Sequence, residues 1–205
     1  FAGCISILLN KFSHQQDIIL GSPFSGRSHD DTKNIVGMFV NTIVLRTHIE
    51  ETERVKDYMK KVKDKVLSIY DNQDYQFDVL VNKLKITREN GRNPLFDVMF
   101  AMQNADIDEI YLGSSKVKPY SFDMGTEKFD ITFQAFEDEQ VHFEVSYATE
   151  LFKKETILNM ISALENIVKA VIAEGNIKIE DIEVLDESKK DFLLKELNNT
   201  SKEYD

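Results

Sequence analysis

The chain carries four histidines, His14, His29, His48 and His142, and imidazole is the side chain best suited to move protons near neutral pH. None adjoins another, and none is followed by an aspartate four residues later. No H-E-x-x-H, G-x-S-x-G, Walker loop or G-x-G-x-x-G occurs. Surface or core placement is therefore the reading for each histidine. The one thiol, Cys4, lies among Phe1, Ile5, Leu8 and Leu9 and reads as a buried, inert group. A single cysteine excludes an internal disulfide and a thiolate zinc site, and no metal is expected. The paired carboxylates Asp30-Asp31 and the run Glu137-Asp138-Glu139 read as solvated loop charge.

The remaining polar residues of interest sit at structurally pointed positions. Asn41 interrupts an apolar run, and a polar amide in a buried strand needs partners. It is either a structural bridge or a ligand contact, and base rates favour the bridge. Residues 88–100 read R-E-N-G-R-N-P-L-F-D-V-M-F. Asn90-Gly91 is a turn signal, because both residues tolerate positive φ. Pro94 fixes its own φ and pushes Asn93 towards an extended conformation. A rigid loop bearing Arg88 and Arg92 is thus fused to a buried strand, and such a loop either pins two parts of a fold or lines a site.

These groups need elements to hold them. Residues 1–13 place Ile5, Leu8, Leu9 and Phe12 on one helical face. A helix beginning so abruptly, without a cap, points to a piece of a longer chain. Residues 18–24 predict a strand, 26–31 a polar loop, and the β-branched run 35–49 another strand. Val55, Tyr58, Met59, Val62, Val66, Ile69 and Tyr70 recur at helical spacing. The polar face between them carries both signs, so this is a core-packing helix rather than a membrane or partner helix. Residues 72–75 end it, 77–84 form a short helix, and 97–103 a strand. Residues 104–128 are irregular, with 117–122 the best strand candidate. Strict alternation in 129–135 and 141–147 predicts a hairpin with one apolar and one polar face. Residues 151–173 form a second long amphipathic helix, stopped at Gly175. From Lys178 onward the chain is strongly charged and reads as a linker that can hold one helix over 186–198. The domain reading is residues 1–176 followed by a linker over 177–205.

At 205 residues the chain suits one large domain or two small ones, and 42% hydrophobic content is too apolar for disorder. A net charge of -11 with no basic, aromatic-interleaved stripe argues against nucleic acid. The amino terminus is too short to span a bilayer and has no signal-peptide basic region. No membrane partner is expected, and the lone cysteine suits a reducing cytoplasm. On these grounds the chain is a mixed α/β piece without a self-contained active site.

Several stretches, in order, resemble one family. They are D-I-I-L-G-S-P-F-S-G-R (residues 17–27), I-V-G-M-F-V-N-T-I-V-L-R (35–46), N-Q-D-Y-Q-F-D (72–78) and R-E-N-G-R-N-P-L-F (88–96). They resemble the last motifs of nonribosomal peptide synthetase condensation domains. K-F-D-I-T-F (128–133) and Y-A-T-E-L-F (147–152) resemble later stretches of the same family. The resemblance implies an α/β fold like chloramphenicol acetyltransferase, a mixed β-sheet packed with helices, of which this chain is the C-terminal lobe only. It implies peptide-bond formation between thioesters carried on phosphopantetheine arms. No cofactor is bound directly; the arms belong to upstream and downstream peptidyl carrier proteins. Further implied partners are an adjacent adenylation domain and the missing N-terminal condensation lobe. The family's H-H-x-x-x-D-G signature is absent, so the catalytic histidine is expected upstream of Phe1 and the chain is expected to be inactive alone. L-L-K-E-L-N-N-T (193–200) resembles the linker before an adenylation domain.

The resemblance also implies roles. Asn41, Asn72 and Gln73 supply neutral donors for amides in a substrate tunnel. Asp74 anchors a loop or holds an attacking ammonium. Arg88, Arg92 and Asn93 belong to the last motif, with Arg92 expected on a buried carboxylate. Tyr75 and Phe77 read as packing residues, and Gln76 stands where the family commonly has proline. The alternatives are a non-catalytic lobe that docks carrier proteins and the adenylation domain, and part of an epimerisation domain.

Overall fold

A computed structural model describes residues 1–86, 91–103, 111–117, 125–137, 140–173, 176–197 and 199. The chain forms helix α1 (Ala2–Ser13), strand β1 (Asp17–Phe24), strand β2 (Asn41–His48), helices α2 (Val55–Asp71) and α3 (Phe77–Leu84), and strand β3 (Val98–Gln103). The short strands β4 (Tyr111–Leu112) and β5 (Ser115–Lys116), strands β6 (Ile131–Glu137) and β7 (Val141–Tyr147), and helices α4 (Lys154–Ala173) and α5 (Glu187–Asp191) follow. One mixed sheet has the order β2-β1-β3-β6-β7, and β4-β5 form a separate pair. Chain contacts divide into two units. The first holds Phe1–Ile19, Arg46–Asp71 and the described residues after Phe152; the second holds Leu20–Leu45 and the described residues between Asn72 and Leu151.

The first unit is helical packing. Ile5, Ile7 and Leu8 of α1 are fully buried. They belong to a core with Val55, Tyr58 and Val62 of α2, and Ile157, Met160, Ala163, Leu164 and Ile167 of α4. Helix α1 stops at His14, which adopts the left-handed conformation and donates its N–H to Asn10 O. Cys4 is buried, and that burial pushes its thiol up from the ordinary value. Helix α4 is long and apolar enough to cross a bilayer by length and composition alone, but its buried stripe is that of a core helix. Asp17 and Arg46 form a bidentate pair: Arg46 Nε donates to Asp17 Oδ1 at 2.9 Å and Nη2 donates to Oδ2 at 2.6 Å. This pair ties the start of β1 to the end of β2, and Lys65 of α2 donates to Arg46 O at 2.8 Å.

Residues 177–182, expected to lie in the linker, pack as part of the first unit. Ile179 and Ile182 are buried. Val55 N–H donates to Ile177 O at 2.9 Å and Ile179 N–H to Glu53 O at 2.9 Å. These two isoleucines, three positions apart among charged neighbours, hold residues 177–182 in the first unit.

The second unit is built on strand pairing. β1 and β3 are parallel, with Leu20 opposite Val98. β3 and β6 are parallel, with Phe100 opposite Phe133. β6 and β7 form the expected hairpin, with Phe133 opposite Val145. Because β6 lies between two strands inside the sheet, Thr132, expected on a polar face, is buried. The strand candidate at 117–122 falls mostly outside the described residues; Val117 itself lies beyond β5.

The strand read over 35–49 covers only Asn41–His48. Residues 35–40 form a loop in which Ile35, Val36, Met38 and Val40 are exposed. Side chains rather than a ladder hold it: Arg27 donates to Thr32 O and, at 3.3 Å, to Gly37 O, and its guanidinium lies 4.3 Å from the Phe39 ring centroid. Tyr75, read as packing, is exposed, whereas Phe77 packs edge-on against Phe96 at 5.8 Å.

Phe96 is the aromatic pivot of this unit. It is buried, stacks on Phe129 at 5.3 Å and meets Phe77 from another side. Gly21 makes room for it: a Cβ there would stand 2.1 Å from the Phe96 ring. Gly21→Ala should therefore destabilise the chain by about 1–3 kcal/mol, the usual range for overpacking, measured as a lower urea midpoint at unchanged slope.

The Asp17–Arg46 pair sets a pH signature. Hydrogen bonds from Arg46 hold the Asp17 carboxyl below its ordinary value of 3.8. Its contribution to stability is complete above about pH 4 and is lost as pH falls through the lowered folded value. Asp17→Asn should be less stable than the wild type at neutral pH, with the gap closing on acidification. A gap independent of pH in denaturant titrations from pH 7 to pH 2.5 would contradict the ion pair.

Candidate functional site

The second unit contains an open cleft of about 470 Å³. Its walls come from three separate segments: Gly26, residues 38–42, and Gln73, Asp74 and residues 76–78. The residue types dictate how these segments meet. Gly26 has φ of 64°, and a Cβ there would sit 1.8 Å from Phe39 O. Only glycine permits this approach. Ser28 donates from Oγ to Asp74 Oδ1 at 3.3 Å, linking the first segment to the third.

Asn41 joins the second segment to the third. Its Nδ2 donates to Gln73 O at 2.9 Å and to Tyr75 O at 3.0 Å. Its Oδ1 accepts from Thr42 N–H at 2.9 Å and from Phe77 N–H at 3.2 Å. A carboxamide offers two donors and an acceptor oxygen with two lone pairs, so this side chain is fully used. Of the two roles open to Asn41, the geometry makes it a bridge. The bond to Phe77 N–H also satisfies one of the orphan donors at the start of α3. Gln76 is the residue before that helix, with φ -66° and ψ 139°. Proline would adopt the same φ, so glutamine at this place leaves the turn's form unchanged.

The expected site residues divide three ways. Asn41, Gln73 and Asp74 converge on the cleft. Asn72 is exposed at its edge and does not line it. Arg92 and Asn93 lie elsewhere in the unit, and Arg88 lies outside the described residues. Arg92 does meet carboxylates, with Nη2 3.3 Å from Asp97 Oδ2 and 3.5 Å from Asp130 Oδ2. Neither is buried as expected: the acids are 44% and 26% exposed. Asn93 caps its own turn, with Oδ1 accepting from Leu95 N–H at 3.1 Å. Both residues thus shape the entry to β3.

Residues that sequence reasoning passed over are Arg27, Phe39, Thr42 and Asp78. Arg27 and Asp78 each close one of the stretches quoted above, which was the available signal. Among the described residues no three His, Cys, Asp or Glu side chains converge on a metal-sized point. No histidine lines the cleft. What the cleft offers is hydrogen bonding, two carboxylates and shape.

A family model described as "Condensation domain" matches residues 1–194. Tyrocidine synthase 3 of Brevibacillus parabrevis is 40% identical over 200 residues, covering 97% of this chain and 3% of that protein. Surfactin synthase subunit 2 of Bacillus subtilis (strain 168) is 39% identical over 196 residues, covering 95% of this chain and 6% of that protein. The chain thus spans a small fraction of the relatives it matches. Among solved structures, the four-domain nonribosomal peptide synthetase AB3403, in holo form with AMP and glycine, superposes with a TM-score of 0.82 at 20% identity. That match covers 92% of this chain and 16% of AB3403. The starter condensation domain of rhizomide synthetase RzmA gives 0.72 at 18% identity, over 90% of this chain and 43% of the other. Both are likenesses of fold.

The bridge can be tested directly. Asn41→Ala strands two carbonyls and two N–H groups and should cost about 1–3 kcal/mol. Asn41→Asp should cost as much at neutral pH, because it keeps an acceptor for Phe77 but sets a carboxylate against Gln73 O and Tyr75 O. Equal urea midpoints for wild type and both variants would remove Asn41 as the bridge.

Proposed function

The chain belongs to the condensation-domain family, and we propose that it is the C-terminal part of a condensation domain that forms peptide bonds in nonribosomal peptide synthesis. One geometric observation carries this reading. Three stretches that resemble the family's ordered motifs, separated by up to about fifty residues, supply all three walls of one cleft, through Gly26, residues 38–42, and Gln73, Asp74 and residues 76–78. The fourth places Phe96 against Phe77 behind it.

The reaction is acyl transfer. A neutral amine on the downstream carrier attacks the thioester carbonyl on the upstream carrier. A C–N bond forms, the C–S bond breaks, and the pantetheine thiol leaves with a proton. An enzyme accelerates such a step by holding the two partners in line and by stabilising charge as it develops on oxygen. In this reading the present chain orients, and the proton-handling histidine lies in the H-H-x-x-x-D-G half of the domain. The partners are upstream and downstream peptidyl carrier proteins, an adenylation domain and that other half, in the cytoplasm. Phosphopantetheine arrives on the carriers. The segment beyond 182 leads towards the adenylation domain.

A second reading, a lobe that docks carriers without chemistry, draws on the full commitment of Asn41 to backbone. The two readings part in one experiment. The parent synthetase, with both carriers loaded, should yield dipeptidyl thioester, and the 205-residue chain alone should yield none. Product from the chain alone would overturn the split of roles. A parent with an intact H-H-x-x-x-D-G that forms no bond at this domain would favour docking.

A further inference from the structure

Two polar side chains of the cleft wall are already engaged, and the Gln73 Oε1 is buried without a partner. Asn41 is saturated by backbone, and Asp74 accepts from Ser28. Gln76 differs. It lines the cleft, it is exposed, and no side-chain hydrogen bond engages its carboxamide. Its backbone conformation, φ -66° and ψ 139°, requires no particular side chain. So a donor and an acceptor stand together at the cleft wall with no part in holding the fold. Thr42, on the facing segment, also lines the cleft with its hydroxyl unengaged. The aromatic residues Phe39 and Phe77 supply apolar wall.

Charge narrows what fits. The wall carries the carboxylates of Asp74 and Asp78 and no lysine or arginine. A phosphate or free carboxylate entering it would meet like charge at those two positions, and the Arg27 guanidinium beside Phe39 is turned to Thr32 O and Gly37 O. A neutral secondary amide suits the wall: its N–H and C=O match the carboxamide's acceptor and donor.

We propose that Gln76 is a specificity-determining residue of this cleft, hydrogen-bonding a neutral amide of an extended thioester arm while Asp74 and Asp78 keep its phosphate end out. The inference rests on the condensation reading and deepens it, by naming the part of the arm that the cleft takes. Gln76 acts on binding and not on the chemistry.

Pantetheine, which carries two amides and no phosphate, is the probe. Titrated into the 205-residue chain and followed by NMR, it should shift the Gln76 side-chain amide resonances saturably. Gln76→Ala and Gln76→Pro should each weaken binding roughly fivefold, the worth of one hydrogen bond. Their denaturation midpoints should stay at or above the wild-type value, since proline at a compatible φ restrains the unfolded chain. 4′-Phosphopantetheine should bind more weakly than pantetheine, with the difference shrinking as salt is added. Unchanged affinity in both variants, tighter binding of the phosphorylated probe, or no saturable shift would each overturn the proposal. Those outcomes alongside a parent synthetase that forms peptide bonds would sink the role of Gln76 and leave the condensation reading standing. Gln76-dependent pantetheine binding in a parent that forms none would do the reverse.

Discussion

One carboxamide sets the geometry of the cleft. Asn41 stands at the first position of β2 and uses both donors and both lone pairs on backbone groups of residues 42, 73, 75 and 77. A turn between two helices has few means of fixing itself in space, because its own carbonyls and N–H groups face away from any ladder. Here the start of a strand supplies that fixation. Replacing water at four backbone groups with one rigid side chain orders the turn, starts α3 and aligns Phe77 for its contact with Phe96. A ligand-contacting amide would have needed at least one hydrogen-bonding position left over, and none remains.

Close approach at two glycines completes the frame. Gly26 lets Phe39 O come within a distance that any Cβ would block, and Gly21 lets the Phe96 ring lie over β1. Neither contact contributes much by itself. Together with the Arg27 guanidinium on Phe39 they hold residues 32–39 in a defined loop without strand pairing. Rigid edges of this kind reduce the entropy lost when a flexible molecule binds.

Regular elements were legible in the sequence wherever periodicity was strong. The helix at 77–84, the long helices and the alternating hairpin all appear where the pattern placed them. The order of quoted stretches marked the cleft, and Asn41, Gln73 and Asp74 fall in it. Failures share a cause: local composition does not reveal partners distant in sequence. Residues 35–40 are as β-prone as 41–48, yet no strand pairs with them and Arg27 holds them instead. Ile179 and Ile182 look like isolated apolar residues in a charged tail until Glu53 O accepts from Ile179 N–H and Ile177 O accepts from Val55 N–H. Arg92 finds acids, but on a wetter surface than a buried strand would suggest. The Asp17–Arg46 pair, twenty-nine residues apart, had no local signal beyond lying in two of the quoted stretches.

The cleft therefore depends on the turn at 73–77 being fixed in solution by Asn41. Residue-resolved amide hydrogen exchange on the wild-type chain tests this most directly. Phe77 N–H, which donates to Asn41 Oδ1, should exchange on the timescale of amides inside β3 and β6, orders of magnitude slower than a solvated loop amide. Exchange of Phe77 N–H as fast as that of an open loop would contradict the bridge, and with it the picture of a preformed cleft.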